Sequence, residues 1–238
     1  MKNNEIIAII GAMDCEIEML KNLLQNPEKV EAGRFFILKG QIGENTVVIA
    51  KSGVGKVNAA SCTQFLIDKF SPKYIINTGI AGGIAENLSV GDVVVAKELV
   101  QYDFDTSALG YARGYMCTGV NPDKPTVFYS DENLLVEFEN IALKSMAKEN
   151  IHRGIIASGD TFVASYEKKK EIKNLFNATA VEMEGAAIAQ TAYLNEVPFL
   201  IVRAISDLAD GTAAESLDEF EYKSAQITSS IIKTMLKV

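Results

Sequence analysis

The sequence predicts an α/β domain with a largely parallel or mixed β-sheet. Short continuous apolar runs rich in Ile and Val alternate with longer segments of helical period. Such runs are typical of strands buried on both faces, and the intervening segments are typical of amphipathic helices. The strand-then-helix order recurs along the chain, which favours an α/β class. No repeat, low-complexity tract or Pro/Gly/Ser-rich linker interrupts it, so residues 1–238 are expected to form a single domain.

Each element follows from its local pattern. The six predicted strands share short apolar runs and lie at residues 6–10, 46–50, 74–77, 92–96, 154–157 and 199–205. The six predicted helices share apolar residues spaced by three and four, and lie at residues 16–24, 57–70, 132–148, 166–176, 183–195 and 220–236. Residues 35–39 are expected to form an antiparallel hairpin with the strand at 46–50, because a glycine-containing turn separates them. Residues 101–126 have no clear period, and irregular stretches of that length are usually functional or mobile.

Composition argues against several classes of function. The chain carries 31 acidic and 23 basic side chains, so its formal net charge of −8 disfavours nucleic acids and anionic membranes as partners. One histidine, His152, argues against a His-rich zinc site and a His-based catalytic triad. Three scattered cysteines without C-x-x-C spacing fit a reducing compartment. No apolar run approaches the ~18 residues of a membrane-spanning helix, and the expected location is the cytoplasm.

Two glycine-rich segments resemble nucleotide-binding loops without completing either motif. Residues 52–56 read Ser-Gly-Val-Gly-Lys, but Ala50 and Val57 stand where a P-loop requires Gly and Ser or Thr. Residues 79–83 follow a predicted strand, but their spacing is not that of a dinucleotide fingerprint. The second segment is either a tight turn or a stretch of backbone that a ligand approaches closely.

Acidic residues inside apolar segments are the first candidates for chemistry. Glu16 lies in the first turn of a predicted helix, on the apolar face that it shares with Leu20. It is either a helix-start acid stabilised by the macrodipole or a partly buried base. Glu182 and Glu184 flank Met183 at the start of a run of small residues. Carboxylates buried there need polar partners, and sugar hydroxyls would be suitable.

Asp207 ends the last predicted strand. Ser206 or Asp207 could cap the next helix. Alternatively, Asp207 lies at the carboxyl end of a strand, where open α/β sheets bind ligands. Glu16, residues 79–83, residues 159–162 and Asp207 all follow predicted strands. If those strands are parallel, the four meet at one edge of the sheet, and that convergence favours a functional site over purely structural roles.

Seven short motifs extend from the first strand to the last. They are Ile10-Gly11-Ala12-Met13 with Glu16, Lys51-Ser52-Gly53-Val54-Gly55-Lys56, Asn77-Thr78-Gly79-Ile80-Ala81-Gly82-Gly83, Val90-Gly91-Asp92-Val93-Val94, Ser158-Gly159-Asp160-Thr161-Phe162, Val181-Glu182-Met183-Glu184 and Val202-Arg203-Ala204-Ile205-Ser206-Asp207. In this order the chain resembles the 5′-methylthioadenosine/S-adenosylhomocysteine nucleosidases, of the purine nucleoside phosphorylase-like superfamily. The resemblance implies a single-domain, three-layer α/β/α fold with a central mixed, partly barrel-like β-sheet.

The resemblance also implies a reaction. It is the hydrolysis of the bond between adenine and the ribose of 5′-methylthioadenosine, S-adenosylhomocysteine and 5′-deoxyadenosine, in methionine salvage and the recycling of S-adenosylmethionine by-products. No cofactor and no metal are implied. Asp207 would be the general acid that protonates adenine N7, which requires a raised pKa. Glu16 would be the general base for the attacking water, and Glu184 would hold the ribose hydroxyls.

The other substrate-binding residues are implied to frame the base, the ribose or the water. They are Met13, Gly82, Phe162, Val163, Met183, Arg203 and Ser206. Among them, Phe162 would stack on adenine, Arg203 would support the water and Ser206 would support Asp207.

Four positions depart from the family pattern. Ile80 stands where some members have a Ser beside the water, Leu109 and Leu217 replace Phe around the 5′ group, and Cys117 replaces a Pro. The pocket for the 5′ group is therefore expected to differ in shape. The family also implies a homodimer, in which the stretch from Tyr102 to Cys117 closes the pocket of the neighbouring subunit.

Three alternative functions stay open at this stage. A phosphorylase on the same fold would need a phosphate clamp, but the chain has four Arg and none lies at residues 11–16 or 79–83. A futalosine-type hydrolase would share the base and ribose contacts. A nucleoside-binding protein without activity would not need Glu16, Glu184 and Asp207 together.

Overall fold

The computed structural model of the protein describes residues 5–117 and 120–237, without the side chains of residues 216–219. Within that part, ten strands join one sheet and six α-helices surround it. The strands are β1 (Ile6–Gly11), β2 (Gln25–Lys29), β3 (Phe36–Ile42), β4 (Asn45–Lys51), β5 (Tyr74–Gly83), β6 (Val93–Gln101), β7 (Phe128–Tyr129), β8 (Ile151–Ser158), β9 (Ala180–Glu182) and β10 (Phe199–Asp207). The helices are α1 (Asp14–Leu23), α2 (Lys56–Phe70), α3 (Glu132–Ala142), α4 (Tyr166–Phe176), α5 (Gly185–Leu194) and α6 (Ala213–Met235), with 3-10 turns at Ser107–Leu109 and Lys148–Asn150.

Five strands of the sheet close into a barrel-like ring, in the order β5, β10, β6, β8, β9 and back to β5. β10 is parallel to β5 and antiparallel to β6, β8 is parallel to both β6 and β9, and β9 is antiparallel to β5. The arm β1, β4, β3, β2 continues from the other edge of β5. The sheet is therefore mixed and partly closed, as the family resemblance implied.

Helices cover both faces of the sheet. In β1, Ile7 and Ile9 belong to the apolar cluster that includes side chains of α1, α3 and α6. Ala8 and Ile10 point the other way and belong to the cluster formed with α2 and α5. A strand covered on both faces needs an apolar residue at every position, which explains the continuous run in the sequence. The three-layer α/β/α class is confirmed.

β5 is longer than predicted, and the interpretation of residues 79–83 as a tight turn is wrong. The strand continues because its second half pairs with β10 and its last two residues pair with β9. A Cβ added at Gly79 would lie 2.4 Å from Glu16 Oε1, and one added at Gly82 would lie 2.9 Å from Asp207 Oδ1. These glycines are needed because two carboxylates approach the strand backbone closely.

Two helices have ends that differ from the predicted ones. α3 ends at Ala142, short of residue 148, because the chain then turns into the 3-10 segment Lys148–Asn150. α6 begins at Ala213, well before residue 220. Its first turns were not predicted because they are rich in Ala and acidic residues and have no apolar period. None of the described helices combines the length and the apolar character needed to cross a membrane.

Three strands, β2, β7 and β9, were not predicted from the sequence pattern. β7 (Phe128–Tyr129) has only two residues and is defined by its pairing with β6. β2 (Gln25–Lys29) is exposed along its whole length, so it has no apolar alternation to reveal it. β9 (Ala180–Glu182) has three residues and exists because it pairs with both β5 and β8. As a consequence α5 begins at Gly185, and Glu184 takes the N-cap position instead of lying inside the helix.

Candidate active site

A cavity of about 290 Å³ lies where β1, β5 and β10 end. Of the ten residues predicted for the site, eight line it: Met13, Glu16, Gly82, Phe162, Met183, Glu184, Ser206 and Asp207. Val163 lines a smaller adjoining pocket of about 30 Å³ that shares Gly82, Phe162 and Asp207 with the main cavity. Arg203 lines neither pocket and lies behind the wall, 1% exposed.

The strands that lead to the cavity are not all parallel, so that condition of the sequence argument is wrong. β1, β5 and β10 are mutually parallel, but β8 runs opposite to β5 and β10 around the ring. The segment after β8 nevertheless reaches the cavity, because closure of the ring places Ser158 opposite Glu182 and Val181 opposite Gly82. The convergence comes from ring closure, which a list of strands does not reveal.

Glu16 is held by three backbone amides. Ala12 N and Met13 N donate to its Oε2 at 2.6 and 3.0 Å, and Ile80 N donates to Oε1 at 3.0 Å. The residue is 4% exposed. Burial raises the pKa of Glu16, while the positive charge of Arg203 and the three amides act in the opposite direction. Glu16 therefore occupies a helix-start position and a wall of the cavity at the same time.

Asp207 ends β10 with its carboxyl group buried, and the residue is 2% exposed. Ser206 Oγ donates to its Oδ2 at 2.9 Å, and Ala209 N donates to Oδ1 at 2.8 Å. Burial raises the pKa of Asp207, and these two hydrogen bonds oppose the rise. Because α6 begins at Ala213 with Thr212 at its N-cap, the prediction that Ser206 or Asp207 caps that helix is wrong.

Glu184 faces the cavity from the start of α5. Its Oε1 accepts a hydrogen bond from Gly55 N at 2.8 Å, and Gly55 has a φ of +98°, a conformation that favours glycine. Burial raises the pKa of Glu184 to about 8, and repulsion from Glu182 adds to the rise, while Arg203 opposes it. The group is thus a buried carboxyl without an ion-pair partner of its own among the described residues.

Glu182 lies two residues from Glu184 but has a different environment. One of its oxygens accepts from Ser158 Oγ, and the other accepts from Arg203 Nη2 and from two backbone amides at the start of α5. Arg203 Nη2 also donates to Asn77 Oδ1 at 2.6 Å. The side chains of Glu182 and Arg203 are 3% and 2% exposed, so they form a buried ion pair in which Glu182 lines the cavity and Arg203 lies behind it.

The remaining wall of the cavity is apolar. Phe162, in the segment that follows β8, is 45% exposed, and the next residue, Val163, is 4% exposed and lines the adjoining pocket. Met13 and Met183 are half-buried. An aromatic ring open to a cavity with flexible thioethers nearby is suited to contact a planar ligand.

No Lys, Arg or His of the described residues lines the main cavity. Arg153 and Arg113 pair with surface carboxylates instead. Within residues 5–117 and 120–237, no group of three or more His, Cys, Asp or Glu is arranged to hold a metal ion. The charged groups of the cavity are therefore carboxyl groups.

The stretch from Tyr102 to Cys117 starts beside the cavity and continues to the surface. Tyr102 is 1% exposed and its hydroxyl donates to Thr161 O at 3.2 Å, whereas Leu109 is 72% exposed and Cys117 is also exposed. Ile80, another departure from the family pattern, lines the cavity. Leu217 lies outside the described side chains. The predicted homodimer stays a prediction.

Sequence reasoning missed several residues that organise the site. Gly55, Asn77 and Ser158 make hydrogen bonds to Glu184, Arg203 and Glu182, respectively. All three stand inside the family motifs, but their partners are more than twenty positions away along the chain. A charged residue in each of two apolar runs, Glu182 and Arg203, was a signal that could have predicted their ion pair.

Three comparisons place this geometry among known proteins. The family model of the phosphorylase superfamily matches residues 6–237. A 5′-methylthioadenosine/S-adenosylhomocysteine nucleosidase of Staphylococcus haemolyticus is 42% identical over 98% of this chain and 100% of its own length.

Solved structures agree with that match. The nucleosidase of the same kind from Neisseria meningitidis, in complex with methylthio-immucillin-A, has a TM-score of 0.90 and 41% identity, over 98% of this chain and 99% of that chain. The futalosine hydrolase of Helicobacter pylori has a TM-score of 0.91 and 33% identity, over 98% of both chains.

Proposed function

The chain belongs to the phosphorylase superfamily and, within it, to the 5′-methylthioadenosine/S-adenosylhomocysteine nucleosidases, and from this premise we propose how it acts. It releases adenine from 5′-substituted adenosines through Asp207, Glu16 and Glu184. The observation that carries the proposal is that these three buried carboxyl groups meet on one cavity whose other walls are mostly apolar, apart from Ser206 and the Arg203-paired Glu182.

Asp207 acts as the general acid. Breaking the bond between C1′ and N9 moves its electron pair onto adenine, and a proton on N7 makes adenine a better leaving group. Asp207 can supply this proton because its burial raises its pKa. The hydrogen bond from Ser206 Oγ at 2.9 Å orients the carboxyl group.

Glu16 acts as the general base. Water adds to C1′ of the oxocarbenium-like ribose while its proton passes to Glu16, so the products are adenine and the 5′-substituted ribose. The three amides fix the Glu16 carboxylate. Burial raises the pKa of Glu16, and the positive charge of Arg203 and the three amides oppose that rise in favour of the ionised form that a base requires. Arg203 lies behind the cavity wall, so the support for the water that the resemblance implies would act through Glu16.

Glu184 holds the ribose hydroxyls. Hydroxyl donors would stabilise its charged form, which burial disfavours. Phe162 stacks on adenine, Gly82 and Val163 frame the base, and Met183 contacts the ribose face. Met13 completes the wall near the attacking water.

Hydrolysis is favoured over phosphorolysis by the charge of the cavity. A phosphate co-substrate needs cationic donors, and no Lys, Arg or His of the described residues lines the cavity. A futalosine-type reaction would use the same base and ribose contacts, and the 33% identical futalosine hydrolase gives a specific reason to test it.

The decisive experiment is adenine release in phosphate-free buffer. Four substrates are compared: 5′-methylthioadenosine, S-adenosylhomocysteine, 5′-deoxyadenosine and futalosine. We expect release from the first three without phosphate, and no acceleration when phosphate is added. A requirement for phosphate would identify a phosphorylase, and a preference for futalosine would identify a futalosine hydrolase. Tight binding without turnover would identify a binding protein.

The proposed reaction also implies a metabolic role for the protein. The substrates place the reaction in methionine salvage and in the recycling of S-adenosylmethionine by-products. Because all ten described strands join one sheet, we take residues 1–238 as one nucleosidase domain. A homodimer closed by the stretch from Tyr102 to Cys117 and a cytoplasmic location stay predictions, which sedimentation and cell fractionation can test.

A further inference from the structure

The glycine-rich segment at residues 52–56 has a set of contacts that the reaction scheme does not use. Lys56 is the first residue of α2, and its Nζ lies 2.5 Å from Asp103 Oδ1 and 3.1 Å from Gln101 Oε1. The backbone N of Lys56 donates to Asp160 Oδ1 at 2.8 Å. The backbone N of Asp160 in turn donates to Asp103 Oδ2 at 2.9 Å. These three residues, which we call the Asp103 clasp, form a closed triangle between three loops.

Two of these loops end on residues of the cavity. Gly55, directly before Lys56, donates its N–H to Glu184 Oε1 at 2.8 Å. Asp160 lies two positions before Phe162, which lines the cavity. The clasp therefore connects the segment whose Gly55 amide holds Glu184 to the segment that carries Phe162.

The clasp also explains why this segment is not a phosphate site. The Lys56 and Asp103 side chains are 17% and 26% exposed, so the lysine charge is paired in a partly buried position. The first amide of α2, which a P-loop would offer to a phosphate, is already taken by Asp160. A partly buried pair with additional hydrogen bonds is coupled more strongly than an isolated surface pair.

We propose that Asp103 and Asp160 are positioning residues that hold Glu184 and Phe162 at a fixed separation, and so set the affinity for the nucleoside. This inference rests on the proposed function. Glu184 and Phe162 would contact the substrate both before and during bond cleavage. Loosening the clasp should therefore raise KM while kcat changes little, because uniform binding is lost and the acid and base stay in place.

Two variants loosen the clasp and one conserves it. In Asp103→Asn an amide NH₂ must face either the Lys56 ammonium or the Asp160 amide, so one arm breaks at constant size. Asp160→Ala removes the acceptor for the first amide of α2. Asp160→Asn keeps an acceptor oxygen there and is the conservative rescue.

We expect Asp103→Asn and Asp160→Ala each to raise KM for 5′-methylthioadenosine by roughly tenfold, the loss expected for one charge-assisted hydrogen bond, with kcat within about threefold of the parent. Asp160→Asn should stay within about twofold of the parent KM. The double variant Asp103→Asn/Asp160→Ala should raise KM no further than the larger single change, because both act on one triangle.

The matched control is Glu5→Gln, which breaks the surface ion pair of Glu5 Oε2 with Lys73 Nζ at 2.5 Å and should leave KM unchanged. The inference is overturned if Asp103→Asn leaves KM within twofold of the parent, if Asp160→Asn fails as badly as Asp160→Ala, or if kcat falls in proportion to the rise in KM.

The same variants separate this inference from the proposed function. A parent chain that releases no adenine would contradict the function, and the clasp would then be judged by calorimetry with methylthio-immucillin-A. Weaker binding of that compound to Asp103→Asn, and parental binding to Asp160→Asn, would still support the clasp. Equal binding by all variants would refute it.

Discussion

The carboxyl groups of the cavity and a carboxyl group of the surface have pKa values that are shifted in opposite directions. Burial raises the pKa of Glu16, Glu184 and Asp207. At the surface, Glu171 accepts a hydrogen bond from Lys168 Nζ at 3.1 Å, which lowers its pKa. The pKa shifts differ in direction because the cavity acids are removed from solvent, whereas Glu171 is exposed and paired with a lysine.

The comparison indicates which acids can move protons. A carboxyl group that is buried without its own cation can hold a proton near neutral pH, as general acid catalysis requires. An exposed carboxylate that is paired with a cation stays ionised and adds a small increment to stability. Changes in the cavity should therefore alter the reaction, and changes at the surface should alter stability slightly.

The largest expected effect is that of Asp207→Asn. An amide of the same size cannot donate the proton to adenine N7, so adenine release should fall by about 10³-fold or more. Rapid-quench single-turnover assays measure this loss directly. Asp68→Asn is the control, since Asp68 is exposed on α2 and accepts a hydrogen bond from Gln64 Nε2 at 2.9 Å. Equal losses in both variants would contradict the assignment of the acid.

Gly79→Ala should have the next largest effect. The added Cβ would lie 2.4 Å from Glu16 Oε1 and must displace that carboxylate from the Ile80 amide. We expect kcat to fall by about 10²-fold, the lower range for losing a general base. Gly211→Ala is the control, because nothing lies within 4 Å of its added Cβ. Near-parental activity of Gly79→Ala would show that the position of Glu16 is not critical.

Glu184 should make stability depend on pH in the absence of ligand. Its pKa is about 8 in the folded chain against an ordinary 4.5, so the folded state keeps a proton that the unfolded chain has lost. The free energy of unfolding should therefore fall as pH rises from about 4.5 through about 8, by at most about 1.4 kcal/mol per pH unit.

Denaturant titrations at several pH values test this dependence. Glu184→Gln should flatten the fall in unfolding free energy between pH 5 and 8. Glu171→Gln is the control, because the pKa of Glu171 is lowered and its contribution is lost only as pH falls below about 4.5. A parental slope in Glu184→Gln would mean that another buried group titrates in this range.

The smallest expected effect is at the Arg153 ion pairs. Arg153 Nε and Nη2 donate to Glu139 at 3.0 and 2.6 Å, and Nη1 donates to Glu132 at 2.8 Å. Glu139→Gln should lower the free energy of unfolding by about 1 kcal/mol or less, with adenine release unchanged. The more exposed Glu132 gives the control, and Glu132→Gln should cost less still. A loss of adenine release in either variant would contradict the claim that surface acids affect stability and not the reaction.

Local pattern accounts for much of the fold and for the candidates of the site. The six strands and six helices predicted from apolar spacing are all present, with changed ends. β2 was missed because it has no buried residue, and the short strands β7 and β9 were missed because they are defined by their pairing partners. Family motifs nominated the residues that line the cavity, whereas the hydrogen bonds of Gly55, Asn77 and Ser158 depend on strand register and helix placement.

The sequence by itself determined the α/β class, the family and the acidic character of the candidate site, because apolar periodicity and ordered motifs are local properties of the chain. Tertiary structure decided which acid has which environment. Glu182 and Glu184 are two positions apart and both line the cavity, yet Glu182 pairs with Arg203 and Glu184 has no ion-pair partner among the described residues. The physical reason is that the pKa of a carboxyl group depends on burial and on charges brought by distant segments, and here closure of the strand ring brings those segments together.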